Sequence, residues 1–120
     1  MREILFRGKR IDNGEWAFGS YCLAEKLDRN GNEHCIIEYA ANGGGYRVDP
    51  STIGQYTGLT DKNGKKIFEG DIVKRCGDKC VVKWIKEDAK FIIIGGMTKL
   101  DFSLFFAEQL EVIGNIYENQ

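Results

Sequence analysis

The chain has 120 residues, with 17 Lys and Arg against 18 Asp and Glu, one His and a formal net charge of −1. That length suits a single domain with a core of its own, and the near-zero balance excludes a global field that would steer the chain to nucleic acid or an anionic membrane. Fifteen glycines against one proline favour tight turns and bulges over extended linkers.

Taken in order, Arg2 to Arg7 reads as a first strand, and Asp12-Asn13-Gly14 as a turn. Trp16 to Leu23 is a second strand, with a bulge suggested by Gly19. Asp28 to Asn32 is a loop around another Asn-Gly pair, and His34 to Tyr39 returns as a strand. Ala40 to Gly45, with three consecutive glycines, is a connector or mobile loop. Tyr46-Arg47-Val48 forms a short strand and Asp49-Pro50-Ser51 a turn, since Pro fixes φ. Thr52 to Leu59 then enters a hairpin. Asn63-Gly64 is a strong signal for a tight I′ turn, which requires φ > 0 at both central residues. With that pair at the centre, Leu59 faces Phe68 and Thr60 faces Ile67. Asp61 bonds amides two residues on, and a second corner follows at Glu69-Gly70-Asp71, where Asp71 satisfies amides at the strand start.

Asp71 to Cys76 and Cys80 to Lys86 form the next hairpin, around Gly77-Asp78. Phe91-Ile92-Ile93-Ile94 is a strand apolar on both faces, so its outward residues need a cover: a helix of the same chain, or a second copy. Phe102, Phe106 and Leu110 recur every four residues, with Phe105 adjacent, which predicts a short helix over Asp101 to Leu110. Glu111 to Tyr117 is the last strand. The expected fold is mainly β: a small SH3-like barrel or a strongly curved antiparallel sheet, with one short helix near the C-terminus. There is no apolar leader at the N-terminus and no run long enough to span a bilayer, so a cytoplasmic location is expected.

The stretch from Gln55 to Val73 resembles the signature of the YopX family of phage and prophage proteins. The resemblance is carried by Thr57-Gly58-Leu59, by Asp61-Lys62-Asn63-Gly64-Lys65 and by Ile67-Phe68-Glu69-Gly70-Asp71-Ile72-Val73. It extends to Met1 through Arg7 and to Glu111 through Asn119, so it brackets the whole chain as one domain, 1–120. Gly8 stands where a small apolar residue such as Ala is expected. The family's biochemical role is not established. The resemblance therefore implies phage origin and a β-rich barrel fold, but no reaction and no catalytic residues. Thr57, Gly58, Leu59, Asp61, Asn63, Gly64, Glu69, Gly70 and Asp71 are read as a structural signature and a candidate interaction surface.

The residues themselves point away from catalysis. His34 is the only histidine, and Glu69 and Asp71 sit at a turn, where capping is the common use. Gly43-Gly44-Gly45 lacks the Lys-Ser/Thr of a phosphate loop. Cys22, Cys35, Cys76 and Cys80 lack zinc-site spacing, and are expected to be reduced, partly buried thiols. Cys76 and Cys80 are expected to face each other across a short loop. No cofactor or metal is expected.

From Lys62 to Lys90 nine basic residues stand against five acidic ones: Lys62, Lys65, Lys66, Lys74, Arg75, Lys79, Lys83, Lys86 and Lys90 against Glu69, Asp71, Asp78, Glu87 and Asp88. Lys83 and Trp84 alternate faces, so they are not expected to line one groove. The expected function is that of a non-enzymatic accessory protein with a protein partner or a second copy of itself. A nucleic-acid-binding β-barrel is the alternative.

Overall fold

A computed structural model describes residues 3–25, 32–38, 45–96, 98–103 and 107–118. The expected Asn-Gly turn at 30–31, the glycines 43–44 and Phe105 and Phe106 lie outside them. The described residues form ten strands in curved antiparallel sheets, and the chain divides into two compact units, Met1–Gln55 and Tyr56–Gln120.

In the first unit, β1 (Phe6–Arg10) pairs with β2 (Trp16–Glu25), β2 with β3 (Asn32–Ile37), and β3 with β4 (Gly45–Thr60). The N-terminal half of β4 also returns to β1, so the pairings run partly as a ring. The core is small: Ala17, Ile36 and Val48 are buried, with Phe6, Tyr46 and Ile53 packed against them. Arginines extend the apolar cover. The Arg10 guanidinium lies 4.0 Å from the Tyr46 ring centre and that of Arg7 4.8 Å from Trp16.

The first strand lies further along than the sequence pattern suggested, so Gly8 is in its interior, opposite Ala17, rather than at its end. A methyl group there would lie 2.9 Å from Cβ of Val48. The expected turn at Asp49-Pro50-Ser51 is instead a bulge within β4. Lys9 pairs with Asp49 and Arg7 with Gly54, so β4 carries extra residues exactly where Pro50 has no amide to give the ladder. The bulge is held locally. Asp49 Oδ1 accepts from the Ser51 amide and hydroxyl, and the Thr52 hydroxyl accepts from Lys9 N at 2.8 Å while donating to Asp49 O.

In the second unit, the end of β4 pairs with β5 (Lys66–Phe68). A five-stranded sheet follows in the order β10-β6-β7-β8-β9, made of β6 (Asp71–Arg75), β7 (Asp78–Ile85), β8 (Lys90–Gly95), β9 (Thr98–Asp101) and β10 (Glu111–Asn115). Its core is larger, with Ile67, Val73, Cys80, Val82, Ile93, Ala107 and Leu110 all buried. Ile93 lies opposite Val82 on the core face, while Ile92 and Ile94 take the other face.

The helix expected over Asp101 to Leu110 is not supported by the described residues of that span. Asp101 ends β9 opposite Ile92, and among the described residues of that span a single α-type bond, Ala107 N to Ser103 O at 2.9 Å, precedes a turn. The fourfold apolar spacing has another cause: Phe102 and Leu110 both face the second core, one just after β9 and one just before β10. Strand β9 itself was hidden by the Gly95-Gly96 pair, which turns the chain of a hairpin rather than breaking the sheet. No helix among the described residues is long and apolar enough to cross a membrane.

Candidate functional site

The signature begins at a bulge. Tyr56 pairs with Phe68 and Thr60 with Lys66, so β4 spends four residues where β5 spends two. The expected pairs, Leu59 with Phe68 and Thr60 with Ile67, are therefore not formed. Thr57 donates its hydroxyl to Ile67 O at 2.8 Å, filling a carbonyl that the bulge leaves open, and Leu59 packs on the second core.

The loop after Thr60 is built around Asp61, whose side chain is 5% exposed. Its Oδ1 accepts from Asn63 N at 2.8 Å and Lys65 N at 2.9 Å, and its Oδ2 from Val112 N at 2.9 Å. Main-chain bonds from Gly64 N to Asp61 O and from Asp61 N to Lys65 O close the loop. Burial pushes the Asp61 carboxyl up, but the amides of Val112, Lys65 and Asn63 together hold it below the ordinary carboxylate value. The turn is not of the I′ type. Gly64 has φ of 81°, whereas Asn63 is not in the left-handed region, because the Asp61 carboxylate draws in the amides of Asn63 and Lys65 and makes a wider loop.

At the second corner, Asp71 is 2% exposed and accepts from Phe68 N at 2.7 Å, so it satisfies an amide as the sequence implied. Gly70 has φ of 90°, and a Cβ there would lie 2.8 Å from the Tyr117 ring. Its amide donates to Val82 O and its carbonyl accepts from Ile116 N. Conformation and space both require glycine. Here the signature also reaches the surface. Glu69 and Gly70 border a groove of about 240 Å³ with Lys83, Trp84, Ile116 and Tyr117. Lys83 and Trp84 thus do line one groove, contrary to the alternation argument, because β7 runs on past the start of β6.

A family model described as YopX protein matches residues 5–120. The chain belongs to the YopX family. No curated protein matches it. The YopX match spans both compact units, so the signature is one part of a longer pattern and not a self-standing motif.

The other residues singled out in the YopX sequence fall elsewhere. His34 is half-buried beside Tyr21, with Nδ1 and the phenol oxygen 2.6 Å apart in a shared hydrogen bond. Cys22 and Cys35 are direct cross-strand partners and both carry free thiols. Cys80 is buried opposite Val73, whereas Cys76 is exposed in the β6–β7 turn, so these two do not face each other as expected. Among the described residues no group of three or more His, Cys, Asp and Glu is arranged to hold a metal. Sequence reasoning missed the groove at Glu69 and Gly70. The missing signal was Tyr117, whose ring must cover a residue without a side chain.

Proposed function

We propose that this chain is a non-enzymatic accessory protein, encoded by a phage or prophage and acting in the host cytoplasm by binding another protein or a second copy of itself. One observation carries the reading: the side chains of Asp61, Asp71 and Thr57 in the signature are spent on the backbone. Asp61 takes three amides, Asp71 takes the Phe68 amide, and the Thr57 hydroxyl goes to a carbonyl. Carboxylates engaged in this way cap turns and strand starts and are poor general acids or bases, since catalysis needs a group free to exchange a proton with substrate. The likeness of the Gly70-Asp71-Ile72-Val73 strand start to SH3-like barrels is an analogy of fold and lends no activity.

The test is affinity purification of the tagged chain from lysogenic cells, with nuclease treatment, followed by light scattering of the purified protein. The expected result is a protein partner retained in fixed ratio, or a discrete oligomer of the chain. Co-purification of nucleic acid alone, lost at raised salt, would favour the nucleic-acid reading instead.

A further inference from the structure

The face of the second sheet opposite Val73, Val82 and Ile93 carries Ile72 of the signature and, at one end, Val81 and Lys83 of the groove beside Glu69 and Gly70. Across it, Ile72 on β6, Val81 on β7 and Ile94 on β8 lie in one row, each half-buried, with Ile92, opposite Lys83, buried beside them. Lysines surround the row. Lys74 and Lys79 are direct cross-strand partners, Lys83 lies on β7 opposite Ile92, and Lys99 lies on β9 opposite Ile94. All four are exposed, and no hydrogen bond or ion pair engages their ammonium groups among the described residues. Of the acids beside these lysines, Asp101 pairs with Lys90 at 2.9 Å and Glu111, opposite Lys74, with Lys62 at 3.7 Å, while Glu69 borders the groove that Lys83 lines.

Two lysines directly opposite each other repel, which works against the β6–β7 pairing. An anionic group laid between them reverses the sign of that interaction. The apolar row adds a second requirement. Phosphates gain nothing from Ile72, Val81 and Ile94, and the Trp84 indole pairs edge to face with Phe91 at 4.9 Å on the opposite face. Aliphatic side chains flanked by carboxylates satisfy both requirements. Lys79 and Lys83, four residues apart on one strand, are separated by roughly 13 Å, a span that a short peptide covers.

We propose that this face docks an acidic, amphipathic polypeptide segment of a partner protein, with its carboxylates on Lys74, Lys79, Lys83 and Lys99 and its aliphatic side chains on Ile72, Val81 and Ile94. The proposal rests on the binding-protein reading above and specifies the partner's chemistry.

The experiment uses the full chain and a short fluorescein-labelled peptide alternating Glu and Leu, read by fluorescence anisotropy. Comparison probes are the same peptide with Gln for Glu and a single-stranded oligothymidylate. The Glu-Leu peptide is expected to bind best and to weaken as salt rises. A Lys79→Glu, Lys83→Glu double variant should weaken it by roughly tenfold or more, whereas Lys65→Glu, Lys86→Glu, of identical net charge, should not. The first variant should melt no lower than wild type, since it removes a repulsive pair, so lost binding is not lost folding. Equal binding by the two double variants, no binding by wild type, or tighter binding of the oligonucleotide overturns the proposal. If the Lys79→Glu, Lys83→Glu variant still retains the cellular partner in fixed ratio, this face falls while the binding-protein reading stands.

Discussion

Two turns of the second unit reverse what their sequences suggest. Asp61-Lys62-Asn63-Gly64-Lys65 contains the dipeptide best suited to two left-handed residues, yet only Gly64 is left-handed. Cys76-Gly77 contains no such favourite first residue, yet Cys76 has φ of 50° and Gly77 of 91°, and the two alone link Arg75 to its partner Asp78. The difference lies in what else each turn must satisfy. The first carries a buried carboxylate whose three amide bonds dictate a wider loop. The second is closed on both sides by a register already set by Ile72 with Val81 and Val73 with Cys80, with two residues left to reverse the chain. Tertiary demand outweighs a dipeptide preference worth only a fraction of that sum.

The largest test of this contrast is Asp61→Ala. It strips an acceptor from three amides, and should cost roughly 1.5–3 kcal/mol by urea melts at neutral pH, in line with hydrogen bonds to a charged group. The sign with pH follows from the depressed carboxyl. Its stabilisation is complete above the unfolded-state value and is lost as pH falls through the lower folded value. The gap between wild type and variant should therefore close progressively as pH falls below the ordinary Asp range. A gap that stays constant into acid would mean that Asp61 is not the loop's organiser.

Gly64→Val comes next. Space is not the issue, since nothing lies within 4 Å of a Cβ there, but φ of 81° is. A cost on the order of 1–3 kcal/mol is expected for a β-branched residue held left-handed, and an unchanged melting temperature would show that the loop can relax. The smallest effect should be a gain. Cys76→Asn replaces a side chain that resists φ of 50° with one that tolerates it, and should stabilise by about 1 kcal/mol. A loss on that substitution would point to a contact of the thiol that outweighs the backbone.

These turns also mark how far the sequence could be read. The roles of Asp61 and Asp71 were legible because short acids beside glycines act over two or three residues, a range that local chemistry governs. Strand existence was legible from alternation at β2 and β7. The tie between this loop and β10 was not, because the third amide that Asp61 accepts from belongs to Val112, 51 residues away. The expectation of one helix over Asp101 to Leu110 had the same origin. Phe102 and Leu110 serve one core from two separate segments, and their spacing imitates a single apolar stripe. Pro50 misled in the opposite direction, since a bulge absorbed the break and β4 continued through it. The lysine-rimmed face was invisible in a charge count, because only strand register decides which lysines share a side.

The bond from Val112 to Asp61 has a consequence for synthesis on the ribosome. When the signature loop leaves the exit tunnel, one oxygen of its carboxylate still faces water, and it stays so until the residues of β10 emerge. Strand β6 waits as well, because its outer partner is β10. The nascent second unit therefore carries an open strand edge through the interval in which β7, β8 and β9 are made, and that edge can pair with other chains. A slow stretch of translation between β6 and β10 would lengthen this exposure, so aggregation of newly made chains should respond to codon choice in that interval while the finished protein stays unchanged.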